Sequence, residues 1–144
     1  MEKQAQNLIN LYNERGEKHG YWEFYYHPCG QLFRKGRYVN GNREGCWEEY
    51  YRSGQLSRKG NYVNDKRDGY WEDYCFNGQL MWKGHWVNGN RDGYWEWYFS
   101  NGQLSSKGHY VNDKFIEEKP VTELSMDEIA KKFGIPVSQL KIKK

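Results

Sequence analysis

From Gly20 onward, aromatic, charged and glycine positions recur every 24 residues. GYWEFYYHPCGQLFRKGRYVNGNRE begins at Gly20, GCWEEYYRSGQLSRKGNYVNDKRD at Gly45, GYWEDYCFNGQLMWKGHWVNGNRD at Gly69 and GYWEWYFSNGQLSSKGHYVNDKFI at Gly93. The first unit has one extra residue before Gly30, and YNERGEKHG, residues 12–20, reads as a worn half-unit leading in. A fixed period of this length marks a repeat architecture, in which each unit buries its apolar face with help from its neighbours. Within a unit the pattern is that of two short strands. Segments such as Tyr70 to Phe76 are rich in aromatic residues, and Asn77-Gly78 is a strong hairpin signal. The second strand, such as Leu80 to Val87, ends at Asn-Gly or Asn-Asp before the next unit. The expectation is an all-β fold, an elongated twisted antiparallel sheet of four hairpin repeats with a small C-terminal helix. Three segments follow: a lead-in over 1–19, repeats over 20–116 and a tail over 117–144.

The spacing also predicts a register. With Asn77-Gly78 as a two-residue turn, Glu72 falls opposite Lys83. With four-residue connections such as Asn64-Asp65-Lys66-Arg67, Lys59 also falls opposite Glu72. A three-residue turn, Pro28-Cys29-Gly30, keeps Glu23 opposite Lys35 in the first unit. One row then reads Glu23, Lys35, Glu48, Lys59, Glu72, Lys83, Glu96, Lys107, alternating in sign. Each opposed pair contributes roughly 0.2–1 kcal/mol, and a one-residue slip would turn the row to the other face, so the ladder sets register. The adjacent row alternates Trp22, Gly36, Trp47, Gly60, Trp71, Gly84, Trp95, Gly108, leaving room for each indole across a glycine. Together with Tyr26, Leu32, Tyr51, Leu56, Cys75, Leu80, Phe99 and Leu104 it forms the expected core face. Tyr21, Tyr25, Tyr50, Tyr70, Tyr74, Tyr94 and Tyr98 stand beside the ladder on the opposite, wetter face.

In the tail, Ser125 with Glu128 forms a capping box, Met126, Ile129, Ala130 and Phe133 make one apolar stripe, and Gly134 ends the helix. Leu140 and Ile142 suit a short final strand. The simplest role for the tail is to cover the last sheet edge near Val111; the alternative is a docking peptide.

Composition adds the nature of the core and narrows the chemistry. Leu, Ile, Val and Phe make only 25 of the 144 residues, a proportion typical of disorder, yet there are seven Trp and thirteen Tyr. The apolar surface is therefore carried by rings. No apolar run reaches the ~18 residues of a membrane span. MEKQAQNLIN lacks a signal-peptide pattern, so a cytoplasmic location is expected. Cys29, Cys46 and Cys75 are odd in number without CxxC spacing, which argues against a disulfide scaffold or a zinc site. His85 and His109 share a repeat position two strands apart, about 9–10 Å, too far for one metal. With no HExxH, GxSxG or Walker pattern, neither an enzyme nor a cofactor is expected.

The GYWEFYY…NGQL…KG pattern, continued by tyrosine, Asn-Gly and arginine, resembles the variant MORN repeat, especially the YwqK-like antitoxin family of bacteria and their phages. The resemblance covers residues 12–116. It implies a single elongated sheet with a binding role, and a partner that is a toxin or a component of a bacterial defence system.

Comparison between the four units shows where they specialise. One row diverges most: Phe24, Arg34, Glu49, Arg58, Asp73, Trp82, Trp97, Ser106. Other rows vary as Phe33, Ser57, Met81, Ser105 and as Arg37, Asn61, His85, His109. Trp and Arg dominate interface energetics, which makes Trp82, Trp97, His85, His109, Arg34 and Arg58 the candidate partner-binding residues. The alternative for the two indoles is burial under Met126, Ile129 and Phe133. The expected function is a non-catalytic protein-binding module, antitoxin-like or a phage-encoded inhibitor of host defence. The rival is a single-stranded nucleic-acid binder, in which rings stack bases and cations track phosphates. A net charge of only +3, with each ladder Lys matched by a Glu, weighs against that rival. A lipid-binding role lacks a basic cluster beyond Lys141, Lys143 and Lys144.

Overall fold

The computed structural model describes residues 8–117, 125–134, 136 and 138. Strands β1 (Leu11–Tyr12), β2 (Lys18–Tyr25), β3 (Leu32–Val39), β4 (Asn42–Tyr50), β5 (Leu56–Val63), β6 (Lys66–Arg67), β7 (Gly69–Tyr74), β8 (Leu80–Val87), β9 (Asn90–Tyr98), β10 (Leu104–Val111) and β11 (Lys114–Ile116) are followed by helix α1 (Met126–Phe133). The strands form one antiparallel sheet in chain order, with β6 continuing the β5 pairing beside β7. The all-β repeat reading is thus met, as is the capped helix. Ser125 accepts from the Glu128 amide, Glu128 answers to the Ser125 amide, and Gly134 ends α1 in the left-handed conformation. The strand suggested for Leu140 and Ile142 lies outside the described residues.

Both rows predicted from spacing are present. Glu23 faces Lys35, Lys35 faces Glu48, and the series runs unbroken to Glu96 and Lys107. The turns that produce this register differ from those expected. In the hairpin loops the Cys75 amide donates to the Gln79 carbonyl at 2.7 Å and the Gly78 amide to the Cys75 carbonyl at 2.9 Å. This is a three-residue loop with Gly78 at φ 82°, and a bulge between Asp73 and Tyr74 absorbs the added residue. Asn77 is used for its side chain, whose Oδ1 accepts from the Gln79 amide at 3.1 Å.

The connections between units are two-residue turns rather than four. Asn64 and Asp65 both have positive φ, and Val63 pairs with Lys66. The two surplus residues are taken up where pairing jumps from Gly36–Trp47 to Arg37–Glu44, and again from Gly84–Trp95 to Trp86–Arg91. The leading glycine of each later unit, Gly45, Gly69 or Gly93, sits at that irregularity with positive φ. The inter-unit turns stack on one another through backbone bonds. The amides of Gly41, Asp65, Gly89 and Asp113 donate to the carbonyls of Lys18, Arg43, Arg67 and Arg91 at 2.8–3.1 Å.

The core is a single spine of rings on one face. Trp22, Tyr38, Trp47, Tyr62, Trp71 and Trp95 are buried, and from Trp22 to Trp71 successive rings meet edge to face. Each indole also donates to a carbonyl, Trp47 to Arg37, Trp71 to Asn61 and Trp95 to His85, at 3.0–3.2 Å. The row expected to complete this core behaves otherwise. Tyr26 and Tyr51 donate sideways to the Tyr50 and Tyr74 carbonyls of the next unit, and Phe99 and Leu104 are exposed. Near the loops the bulges and turn geometry end the strict alternation that assigned those residues to the core face.

Candidate functional site

The divergent row is one continuous line across eight strands on the same face as the spine. Phe24 is opposite Arg34, Arg34 opposite Glu49, Glu49 opposite Arg58, Arg58 opposite Asp73, Asp73 opposite Trp82, and Trp82 opposite Trp97. Its three parts have different chemistry. At the start, the Arg34 guanidinium lies 4.5 Å from the Phe24 ring centre and 5.5 Å from that of Phe33. In the middle, Arg58 bonds Asp73 twice, Nη2 at 2.5 Å and Nε at 2.6 Å, while Glu49 stands 3.8 Å from Nη1. Asp73 is buried, so this pair is committed to the fold.

At the far end Trp82 and Trp97 each stack on Trp95. Ring centres are 5.1 and 5.8 Å apart, with interplanar angles of 29° and 28°. Trp86 and Tyr110 pack edge-on against Trp95. Trp82 and Trp97 are half-buried, each keeping surface open to solvent. Their support comes from within the sheet. The side chains of Met126 and Phe133, invoked as a cover for them, lie outside the described residues.

The six candidate residues divide between the faces. Arg34, Arg58, Trp82 and Trp97 share the aromatic face. His85 and His109 stand on the other, because they flank Gly84 and Gly108 at odd spacing from the tryptophan row. His109 packs on Tyr94 at 4.7 Å, and His85 is exposed opposite Tyr70. No single flat partner covers all six.

A feature missed from sequence is the cationic rim of the aromatic face. Lys18 lies 5.0 Å from the Trp22 ring centre, Arg43 3.9 Å from Tyr62, Arg67 4.6 Å from Trp71 and Arg91 4.3 Å from Tyr110. In alternate units Asp65 and Asp113 hold Arg43 and Arg91 through Oδ1 to Nε bonds of 2.7 and 3.0 Å. The signal was the Arg recurring after the first three inter-unit turns, as Arg43, Arg67 and Arg91; only the packing shows that it covers the spine.

On the opposite face the ladder is pinned. Lys35, Lys59 and Lys83 bond Glu48, Glu72 and Glu96 of the following strand at 2.9, 2.7 and 2.7 Å. Each glutamate also accepts from the tyrosine two residues on, as Glu48 does from Tyr50 and Glu72 from Tyr74. Bonds from Tyr50 and Lys35 hold the Glu48 carboxyl below its ordinary value, and those from Lys83 and Tyr98 do the same for Glu96. Two shallow cavities of about 250 and 240 Å³ lie along this face, the first against β10 and β11, the second beside Cys46 and Lys59. Among the described residues no group of three His, Cys, Asp or Glu side chains is placed to hold a metal ion, and no helix is long and apolar enough to cross a membrane.

No curated protein matches the chain. Among solved structures, a mutant S. aureus TarM, crystallised with fondaparinux, alpha-GlcNAc-glycerol and UDP, is similar over 74% of this chain and 20% of its own, at 8% identity and a TM-score of 0.41. The second and fourth hairpins, at residues 43–64 and 91–112, match the MORN repeat variant, so the chain carries this repeat within its hairpin sheet.

Proposed function

We propose that the protein is a non-catalytic module that binds a partner protein and neutralises or scaffolds it, as an antitoxin or a phage-encoded inhibitor of bacterial defence does. The observation that carries this is the end of the divergent row. Trp82 and Trp97 are held rigid against Trp95 yet retain exposed surface, the property of an interface anchor. Repeat surfaces that vary unit by unit suit recognition of one large partner. Three of the four ladder lysines, Lys35, Lys59 and Lys83, are engaged with glutamates, which lowers the cation supply that phosphate tracking requires.

The test is affinity capture from a lysate of the source cells by the full chain and by its Trp82→Ala and Trp97→Ala variants. A protein retained by the wild type and lost from the variants beyond any fall in their folded fraction supports the reading. Recovery of nucleic acid alone, released between about 50 and 200 mM salt, would overturn it in favour of the rival.

A further inference from the structure

The two ends of the sheet are finished unequally. At the N-terminal end Asn10 bonds the Tyr21 carbonyl and the Glu23 amide, and Tyr12 packs edge-on against Trp22. At the C-terminal end β11 pairs only with His109, Tyr110 and Val111 of β10. The equivalent strands inside the sheet are also paired on that side, β3 from Arg34 to Gly36, β5 at Arg58 and Lys59, and β8 from Trp82 to Gly84. Among the described residues, Ser106, Lys107 and Gly108 have no strand on their outer side.

The sequence does not continue the pattern there. One period of 24 residues beyond Trp95, Glu96 and Tyr98 come Lys119, Pro120 and Thr122. The place of the glutamate that every interior lysine bonds is thus taken by a proline, with neither carboxylate nor amide proton. Lys107 is exposed, whereas Lys35, Lys59 and Lys83 each hold the next strand's glutamate. The Gly108 site is already covered, by the Phe115 ring. Beside the open edge lies the cavity of about 250 Å³, lined in part by Tyr94, Glu96, Lys107, His109 and Ile116.

We infer that the outer edge of β10 at Ser106–Gly108 takes up an extended segment of a partner protein as an added antiparallel strand, with an acidic side chain opposite Lys107. Open edges bind through main-chain bonds, and the side chains beside them select the segment. Here Lys107 selects for a carboxylate by the rule the three interior pairs obey. The cavity receives a neighbouring apolar side chain against Ile116 and the Tyr94–His109 pair. A second copy of this chain is a poorer occupant, because its own outermost long strand, β2, is already engaged by Asn10.

The inference rests on the protein-binding reading and specifies one surface for it. The probe is a synthetic peptide of residues 92–99 with Trp95→Ser, since Phe115 already fills the place of that indole. It is titrated into the isotope-labelled full chain and followed by amide NMR. Saturable shifts confined to Ser105–His109 and Ile116 are expected, with slowed amide exchange at Ser106–Gly108. Lys107→Glu should weaken binding roughly fivefold or more, and a peptide with Glu96→Lys should restore it to that variant. Absence of binding, indifference to the charge swap, or shifts centred on Trp82 and Trp97 would overturn the inference. So would amides at Ser106–Gly108 of the free chain as protected as those of Lys83 and Gly84, or a dimer abolished by Lys107→Glu. A partner captured from lysate equally by wild type and Lys107→Glu removes the edge and leaves protein binding intact; capture of no protein removes both.

Discussion

Gly60→Ala tests the pairing of glycine with indole on which the spine depends. A Cβ built on Gly60 falls 2.5 Å from Trp71 Cγ and nearer still to Cδ2 and Cε2, against 3.4–4 Å for ordinary contact. The indole has nowhere to retreat: it is 1% exposed, abuts Tyr62 at 4.9 Å and lies under the Arg67 guanidinium at 4.6 Å. Overpacking of this kind costs about 1–3 kcal/mol. Displacing the ring also breaks the 3.0 Å bond from Trp71 Nε1 to the Asn61 carbonyl, worth about 1 kcal/mol. Removing a strand glycine returns about 0.5–1 kcal/mol through the unfolded chain. The net expectation is a loss of about 1–3.5 kcal/mol. Urea unfolding followed by far-ultraviolet circular dichroism and tryptophan fluorescence measures it. Gly108→Ala is the control. Its Cβ also meets a ring, with Phe115 Cδ2 at 3.1 Å and Cε2 nearer still, but Phe115 is 57% exposed and can swing away. That variant should lose less than about 1 kcal/mol. Equal losses for the two, or a Gly60→Ala variant as stable as wild type, would refute the reasoning.

Asp73→Ala leaves Arg58 without the partner that binds it twice, and because Arg58 is one-third exposed the loss should be about 2–3 kcal/mol rather than the full cost of breaking a buried pair, read as a fall in urea midpoint. Gly89→Ala, at φ 88° in an inter-unit turn, should cost about 1–2 kcal/mol in the same assay. The ladder predicts a stability plateau. Glu48 and Glu96 are held low by their hydrogen bonds, and burial of Glu72 is outweighed by bonds from Lys59 and Tyr74. Their contribution is complete above the unfolded carboxylate value of about 4.3 and is lost as pH falls below it. Lys35 and Lys83 are raised by their glutamates first and their tyrosines second, so their contribution is complete below about pH 10 and is lost above it. The urea midpoint should therefore be flat between about pH 5 and 9.5 and fall on both sides. Trp97→Ala should lower the melting temperature through its lost stacking on Trp95, and partner affinity per folded molecule should fall by about 2 kcal/mol if the exposed side of the ring is an anchor.

Period and spacing alone determined the fold class and the strand register of this protein. Opposite charges at one repeat position and Trp–Gly at the next agree on a single pairing, and only that pairing keeps every glutamate facing a lysine. Turn geometry was not determined in the same way. Asn-Gly occurs in both kinds of loop: in Asn88-Gly89 as a two-residue turn with both residues at positive φ, in Asn77-Gly78 as the end of a three-residue loop in which only the glycine is. Both solutions reach the same register, because bulges absorb the surplus residues, so spacing could not separate them. Tertiary structure alone decided which side chains of a face are core. Tyr62 is buried by Trp71 and covered by Arg43, while Phe99, assigned to the same core from alternation, lies exposed beside a loop. It also separated His85 and His109 from Trp82 and Trp97. Residue identity marked all four as divergent, but the pleat sends odd and even neighbours to opposite sides of a sheet only one layer thick.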